Sequence, residues 1–162
     1  MCNVNEIASR TMSMFKTESQ EALVGVVVVG HGRLALEMVE TLSSVVGPLA
    51  GVQAVVYQMD ADPEEIQKSL RTAVDKVDTG AGAIIFTDML GDTACNASMH
   101  VAADRQHVEV LAGVNMPMLI KLTTARMEMR SAPDLAGFIR RYGQDHIFWP
   151  TGDRSLQAGA GC

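Results

Sequence analysis

From position 23 onward, short apolar runs alternate with longer amphipathic stretches. Val26, Val27, Val28 and Val29 follow Leu23 and Val24. A β-branched run of this length predicts a strand over residues 23–29 that is buried on both faces. Val52-Gln53-Ala54-Val55-Val56-Tyr57, Ala83-Ile84-Ile85-Phe86-Thr87 and Val108-Glu109-Val110-Leu111-Ala112-Gly113 predict three more strands. Helical periods lie between them. The first begins near Arg33 and runs to Val46, where Gly47-Pro48 stops it. The second opens at Asp62-Pro63-Glu64-Glu65, which combines a cap, a proline at the first helical position and early acids. It continues to about Asp78, with Ile66, Leu70, Ala73, Val74 and Val77 on one face. A third helix is expected from Thr93 or Ala94 to Ala103, a fourth from Asn115-Met116-Pro117 to about Arg126, and a fifth over residues 133–142. The apolar stretch from His146 to Trp149 reads as a short terminal strand.

Strands and helices alternating at this length predict one α/β domain over residues 23–150, a doubly wound, mostly parallel sheet with helices on both faces. Residues 1–22 show no clear period and are read as an N-terminal extension, with a short helix around residues 6–15. Residues 151–162 are small and glycine-rich, and are read as a flexible tail.

Composition narrows the function. The chain has 162 residues, the length of one domain, and is 48% hydrophobic but only 4% aromatic, so Val, Leu, Ile, Ala and Met must fill the core. A formal charge of −6 excludes a general nucleic-acid binder while leaving room for a protein partner with a basic face. No stretch reaches the roughly 20 apolar residues that cross a bilayer. The polar start of the chain holds no apolar signal region, and Cys2, Cys95 and Cys162 are scattered rather than paired. The expected location is cytoplasmic.

The candidate chemistry centres on His31, held between Gly30 and Gly32 where the first strand gives way to a helix. In a parallel sheet the loops after the strands gather on one edge, where ligands bind. Asp88 follows the third strand and is expected in the same crevice. A carboxylate that accepts a hydrogen bond from one ring nitrogen fixes the tautomer and leaves the other nitrogen's lone pair outward, as a nucleophile or general base. The helix start at Gly32 and Arg33, and a second at Thr93, offer N–H donors and partial positive charge to an anion such as phosphate. The combination suggests a phosphate-accepting histidine with an aspartate that orients it.

Plainer roles compete with this one. Asp88 could simply cap the next helix. His100 fits a helix surface, His107 and His146 fall at element ends, and Cys95 fits burial as a small apolar residue. Gly30-His31-Gly32-Arg33-Leu34-Ala35 also matches the dinucleotide fingerprint Gly-x-Gly-x-x-Ala. Asp60, however, lies 28 residues after Gly32 and the chain has no room for a substrate domain, so no cofactor is expected. A metal site from His31, Asp88 and Asp92 would lack a second histidine or cysteine at ligand spacing, so no metal is expected.

Three segments carry a family resemblance. Val29-Gly30-His31-Gly32, the loop Asp88-Met89-Leu90-Gly91-Asp92-Thr93-Ala94-Cys95-Asn96, and Val110-Leu111-Ala112-Gly113-Val114-Asn115-Met116-Pro117-Met118-Leu119 resemble the mannose-type enzyme IIA domain of the bacterial sugar phosphotransferase system. The similarity covers roughly residues 24–126. It implies that His31 accepts a phosphoryl group from the phosphocarrier HPr and passes it to enzyme IIB during sugar uptake. It also implies that Asp88 orients the imidazole, and that Gly32, Arg33, Thr93 and Asn96 surround the phosphate. The implied assembly is a homodimer that exchanges a C-terminal strand and is at most peripheral to a membrane permease. A module in which phosphorylation of His31 only signals is the alternative. Where the family loop reads Asp-x-x-Gly-Gly-Ser-Pro-x-Asn, this chain has Asp92 for the second glycine, Thr93 for serine and Ala94 for proline. A carboxylate beside a phosphoryl group repels it. Asp92 is therefore expected either to point away or to alter the transfer.

Overall fold

The computed structural model describes residues 22–152 with the exception of Met59. The expected helix around residues 6–15 and the tail from Ser155 fall outside the described residues. Nine elements follow in order: β1 Gly25–His31, α1 Leu34–Val46, β2 Val52–Tyr57, α2 Pro63–Val77, β3 Ala83–Thr87, α3 Thr93–Ala103, β4 Val108–Ala112, α4 Met116–Glu128 and α5 Ala132–Asp145. The four strands form one sheet in the order β2-β1-β3-β4, and every neighbouring pair is parallel. The sheet is thus wholly parallel where the sequence suggested mostly parallel.

The valine run is explained by burial on two sides. Val24, Val26 and Val28 pack with Ile84 and Phe86 under α1, α4 and α5, through Leu42, Leu119, Leu122, Leu135 and Ile139. Val27 and Val29 face the other way with Ile85, under Ile66, Leu70 and Val74 of α2 and Val101 of α3. A strand whose alternate residues feed two cores has no position left for a polar side chain. The chain passes from β1 outward to β2, then back across β1 to β3. That reversal places a topological switch point between β1 and β3, and the crevice of an open parallel sheet forms at its carboxyl edge.

Two details of the carboxyl edge set the position of the site. β1 extends through His31, which sits opposite Tyr57 in the register with β2, so the histidine belongs to the strand rather than to the loop after it. The segment around Gly113 then anchors the end of β3. Gly113, at φ +85°, and Val114 both donate backbone N–H bonds to the Thr87 carbonyl, at 2.9 and 3.0 Å. Asn115 next caps α4 by accepting from the Met118 N–H at 3.0 Å. These bonds account for a sequence run that propensity alone does not explain. They fix the residue immediately before Asp88.

The stretch from His146 to Trp149 is not a strand. α5 runs to Asp145, three residues past the expected end, and the His146 ring stacks back on Tyr142 with centroids 3.6 Å apart. The chain leaves the helix at that stack, and Ile147, Phe148 and Trp149 are exposed, Trp149 at 73%. No helix among the described residues is long and apolar enough to cross a membrane.

Leu119 is fully buried where α4 meets the sheet and α5. Leu119→Ala is expected to cost about 3 kcal/mol of stability, from lost burial and the cavity left behind. Denaturant unfolding measures it, and a loss under about 1 kcal/mol would show that this layer is loosely packed.

Candidate functional site

The carboxyl edge brings His31 and Asp88 together across 57 residues of sequence. His31 Nδ1 lies 2.8 Å from Asp88 Oδ2, and the same oxygen accepts the His31 backbone N–H at 3.0 Å. Asp88 Oδ1 accepts the N–H of Met89 at 2.9 Å. The carboxylate is therefore gripped from its own loop and from β1, and its orientation has little freedom. Burial alone would push the Asp88 carboxyl up. The backbone N–H of His31, its ring and the Met89 N–H outweigh that and hold the group below the ordinary carboxylate range.

Gly30 makes room for Asp88. A Cβ there would stand 3.2 Å from Asp88 Oδ2 and 3.3 Å from its Cγ. The missing side chain leaves room for the orienting carboxylate rather than for an incoming reactant. Gly32 adopts φ +54° with open space around it, which turns the chain sharply from β1 into α1.

Asp92 does not point away. It caps α3, with Oδ1 accepting the Cys95 N–H at 2.6 Å. Its Oδ2 accepts the Tyr57 hydroxyl at 3.0 Å and lies 3.6 Å from His31 Nδ1. Capping geometry aims the side chain back over the first turn of the helix, and that turn faces His31. The ring of Tyr57 packs against His31 with centroids 5.2 Å apart at 51°. Burial pushes the Tyr57 hydroxyl well above its ordinary value, and the hydrogen bond to Asp92 with the charges of Asp92 and Asp88 pushes the same way. Tyr57 is therefore a donor at any physiological pH.

Sequence reading missed Tyr57. Its place at the end of the second strand was visible, but its position level with His31 comes only from the register of β1 with β2. Arg33 is 70% exposed, with its guanidinium 2.8 Å from Glu37 one turn on. Thr93 opens α3 and is exposed. Asn96 is also exposed, and its amide donates to the Gly91 carbonyl at 3.3 Å. The geometry thus joins His31, Asp88, Asp92 and Tyr57, while Arg33, Thr93 and Asn96 stand around them engaged elsewhere or open to solvent.

The arrangement dictates a tautomer. Two carboxylates on the Nδ1 side assign the proton to Nδ1 and leave the lone pair on Nε2. With 26% of its side chain exposed, His31 is accessible to a reactant. One ligand atom from each of His31, Asp88 and Asp92 lies within 4.8 Å of the others, which resembles a cation site. Every one of the four carboxylate oxygens already accepts an N–H or O–H, however. A cation would share those oxygens with the groups that already donate to them.

Residues 25–138 match the family described as "PTS system fructose IIA component". The chain is a member of this family. It is 26% identical over 124 residues to the PTS system mannose-specific EIIAB component of Escherichia coli strain K12, covering 76% of this chain and 38% of that protein. The chain therefore spans about two fifths of the length of that curated relative. The PTS system fructose-specific EIIA component of Bacillus subtilis is 23% identical over 122 residues, covering 75% of this chain and 83% of that one. The fold matches the crystal structure of a phosphotransferase system component EIIA from Streptococcus agalactiae with a TM-score of 0.74 and 19% identity, covering 81% of this chain and all of that one. That likeness speaks to fold alone.

The lowered Asp88 carboxyl makes a prediction about stability and pH. A carboxylate depressed in the folded protein stabilises it fully above the ordinary carboxyl value of about 4, and loses that contribution as the pH falls below it. Asp88→Asn should therefore be less stable than the wild type at pH 7 in urea unfolding, with the gap closing as the pH drops below about 4. A gap that stays constant down to pH 2.5 would show that the carboxylate charge contributes nothing.

Proposed function

We propose that the protein is the IIA component of a sugar phosphotransferase system, taking a phosphoryl group from phospho-HPr onto His31 Nε2 and passing it to an enzyme IIB. The family supports the reaction class, and the 2.8 Å contact between His31 Nδ1 and Asp88 carries the assignment of the atom. In the first transfer the Nε2 lone pair forms a bond to phosphorus while the bond between phosphorus and the carrier breaks, its electron pair staying with the carrier's side chain. Asp88 holds the Nδ1 proton while that bond forms.

The crevice provides for the dianionic group. The N-termini of α1 and α3 open at the same edge, at Leu34 and Thr93, and unbonded N–H groups there favour phosphate. The exposed pair between Arg33 and Glu37 is weak enough for Arg33 to turn toward a phosphoryl oxygen. Thr93 and Asn96 offer a hydroxyl and an amide at the rim. The acidic balance of the chain suits a carrier protein with a basic docking face. We place the protein in the cytoplasm, at most alongside a membrane permease. We also read it as a homodimer, on the exposed Ile147, Phe148 and Trp149 that follow α5.

Incubation with phosphoenolpyruvate, enzyme I and HPr should place an acid-labile phosphate on the wild type and none on His31→Ala. Asp88→Asn, which frees the ring to take the other tautomer, should slow the transfer by about 100-fold. Label retained by His31→Ala would overturn the reading.

A further inference from the structure

Asp92 is one of three positions at which this site departs from the loop of the family it resembles, and electrostatic repulsion alone makes it look like a defect. Its bonds describe something else. The Oδ2 atom is clamped by the hydroxyl of the buried Tyr57 at 3.0 Å and stands 3.6 Å from His31 Nδ1. That separation is too long for a good hydrogen bond but close for a charge. Asp88 already bonds Nδ1, yet its two oxygens also accept the backbone N–H groups of His31 and Met89. The second carboxylate adds a negative charge on the same side of the ring, opposite the nitrogen that takes phosphate.

We propose that Asp92, fixed by Tyr57, is a positioning residue that retains the proton on His31 Nδ1 after phosphorylation, so that departure of the phosphoryl group leaves a neutral imidazole behind. This rests on the phosphotransfer reading of His31. When Nε2 gives its electron pair to phosphorus and Nδ1 keeps its proton, the ring becomes an N-phosphoimidazolium whose positive charge is spread over both nitrogens. Such a ring can lose the Nδ1 proton to solvent. Departure of the phosphoryl group would then leave an imidazolate, a poor leaving group. With the proton retained, the phosphorus–nitrogen bond breaks, its pair returns to Nε2, and neutral imidazole is left with the Nδ1–H it began with. The phosphoryl group passes to the attacking side chain of the acceptor protein, or to water.

The groups that face the ring are few. Tyr57 comes from β2, Asp88 from the end of β3, and Asp92 from the cap of α3. Arg33, which follows β1, is paired with Glu37. Burial keeps Tyr57 protonated, so it remains a donor to Asp92 throughout the range in which the phosphoimidazole would titrate. Charge repulsion and proton retention both shorten the life of the phosphohistidine, but they differ in form. Repulsion acts on the phosphoryl group's own charge, which changes at about pH 6, whereas proton retention moves the pH at which the ring titrates and the rate falls.

The test uses the full chain, phosphorylated with phosphoenolpyruvate, enzyme I and HPr, freed of both carriers, and followed by phosphorus NMR between pH 5 and 9. Asp92→Asn keeps the cap and removes the charge. Tyr57→Phe keeps the ring and frees the carboxylate, and it serves if the first variant fails to fold. The dephosphorylation rate of the wild type should fall with rising pH about one unit later than that of Asp92→Asn. Above both midpoints the wild type should then lose phosphate roughly tenfold faster, with Tyr57→Phe between them. Superimposable profiles, or a change in rate that leaves the pH of its fall where it was, would overturn the proposal and leave phosphotransfer intact. A wild type that takes no label on His31 would overturn both.

Discussion

The hydrogen bond between His31 Nδ1 and the Asp88 carboxylate is the constraint to which the rest of the carboxyl edge is fitted. It joins the ends of two neighbouring parallel strands, so its length is set by the sheet and not by flexible loops. The strands are held in turn from both faces by apolar cores that leave β1 no room to slide. Gly30 gives up its side chain so that the carboxylate can reach the ring, and Gly113 and Val114 tie down the carbonyl one residue before Asp88. Moving either partner by an ångström would return the imidazole to free choice between tautomers.

Around that bond the site is built for one chemistry. An imidazole with its proton committed on one side offers a single nucleophilic nitrogen on the other, and α1 and α3 both begin at this carboxyl edge. Asp92 complicates the electrostatics without breaking the design. On the phosphotransfer reading proposed above, its charge works against a bound phosphoryl group and for a positively charged ring, and both effects favour passing the group on rather than storing it. Carriers benefit from a phosphorylated state that is accessible and unstable at once. Asp92 serves the fold as well, as the cap of α3, and this double duty ties the site's electrostatics to the position of a helix.

Much of this was legible in the chain because the determining patterns are local. A strand buried on both faces needs unbroken apolar residues, so Val26 to Val29 announce themselves. Asp62 with Pro63, and Asn115 with Pro117, mark helix starts through bonds that span only two or three residues. His31 stood out because a single reactive side chain occupied the junction of strand and helix. What escaped notice depends on register or on competing bonds. Tyr57 matters only because β2 lies beside β1 with Tyr57 level with His31, and no nearby residue carries that information. The sequence left two directions open for Asp92, because repulsion was weighed and capping was not, and the cap on α3 selects the one toward His31. Ile147, Phe148 and Trp149 are apolar enough for a strand, but the last helix runs on to Asp145, His146 stacks back on Tyr142, and the three residues are left exposed.

The most direct measurement of the central claim is the tautomer of His31 in the unphosphorylated protein, read from long-range proton–nitrogen correlations of the imidazole at pH 8. With its proton committed to the carboxylate side, Nδ1 should show the shift of a protonated ring nitrogen and Nε2 that of one bearing a free lone pair. A proton found on Nε2, or a ring averaging between the two forms, would contradict the account, because the nitrogen assigned to accept phosphate would not be the nucleophile.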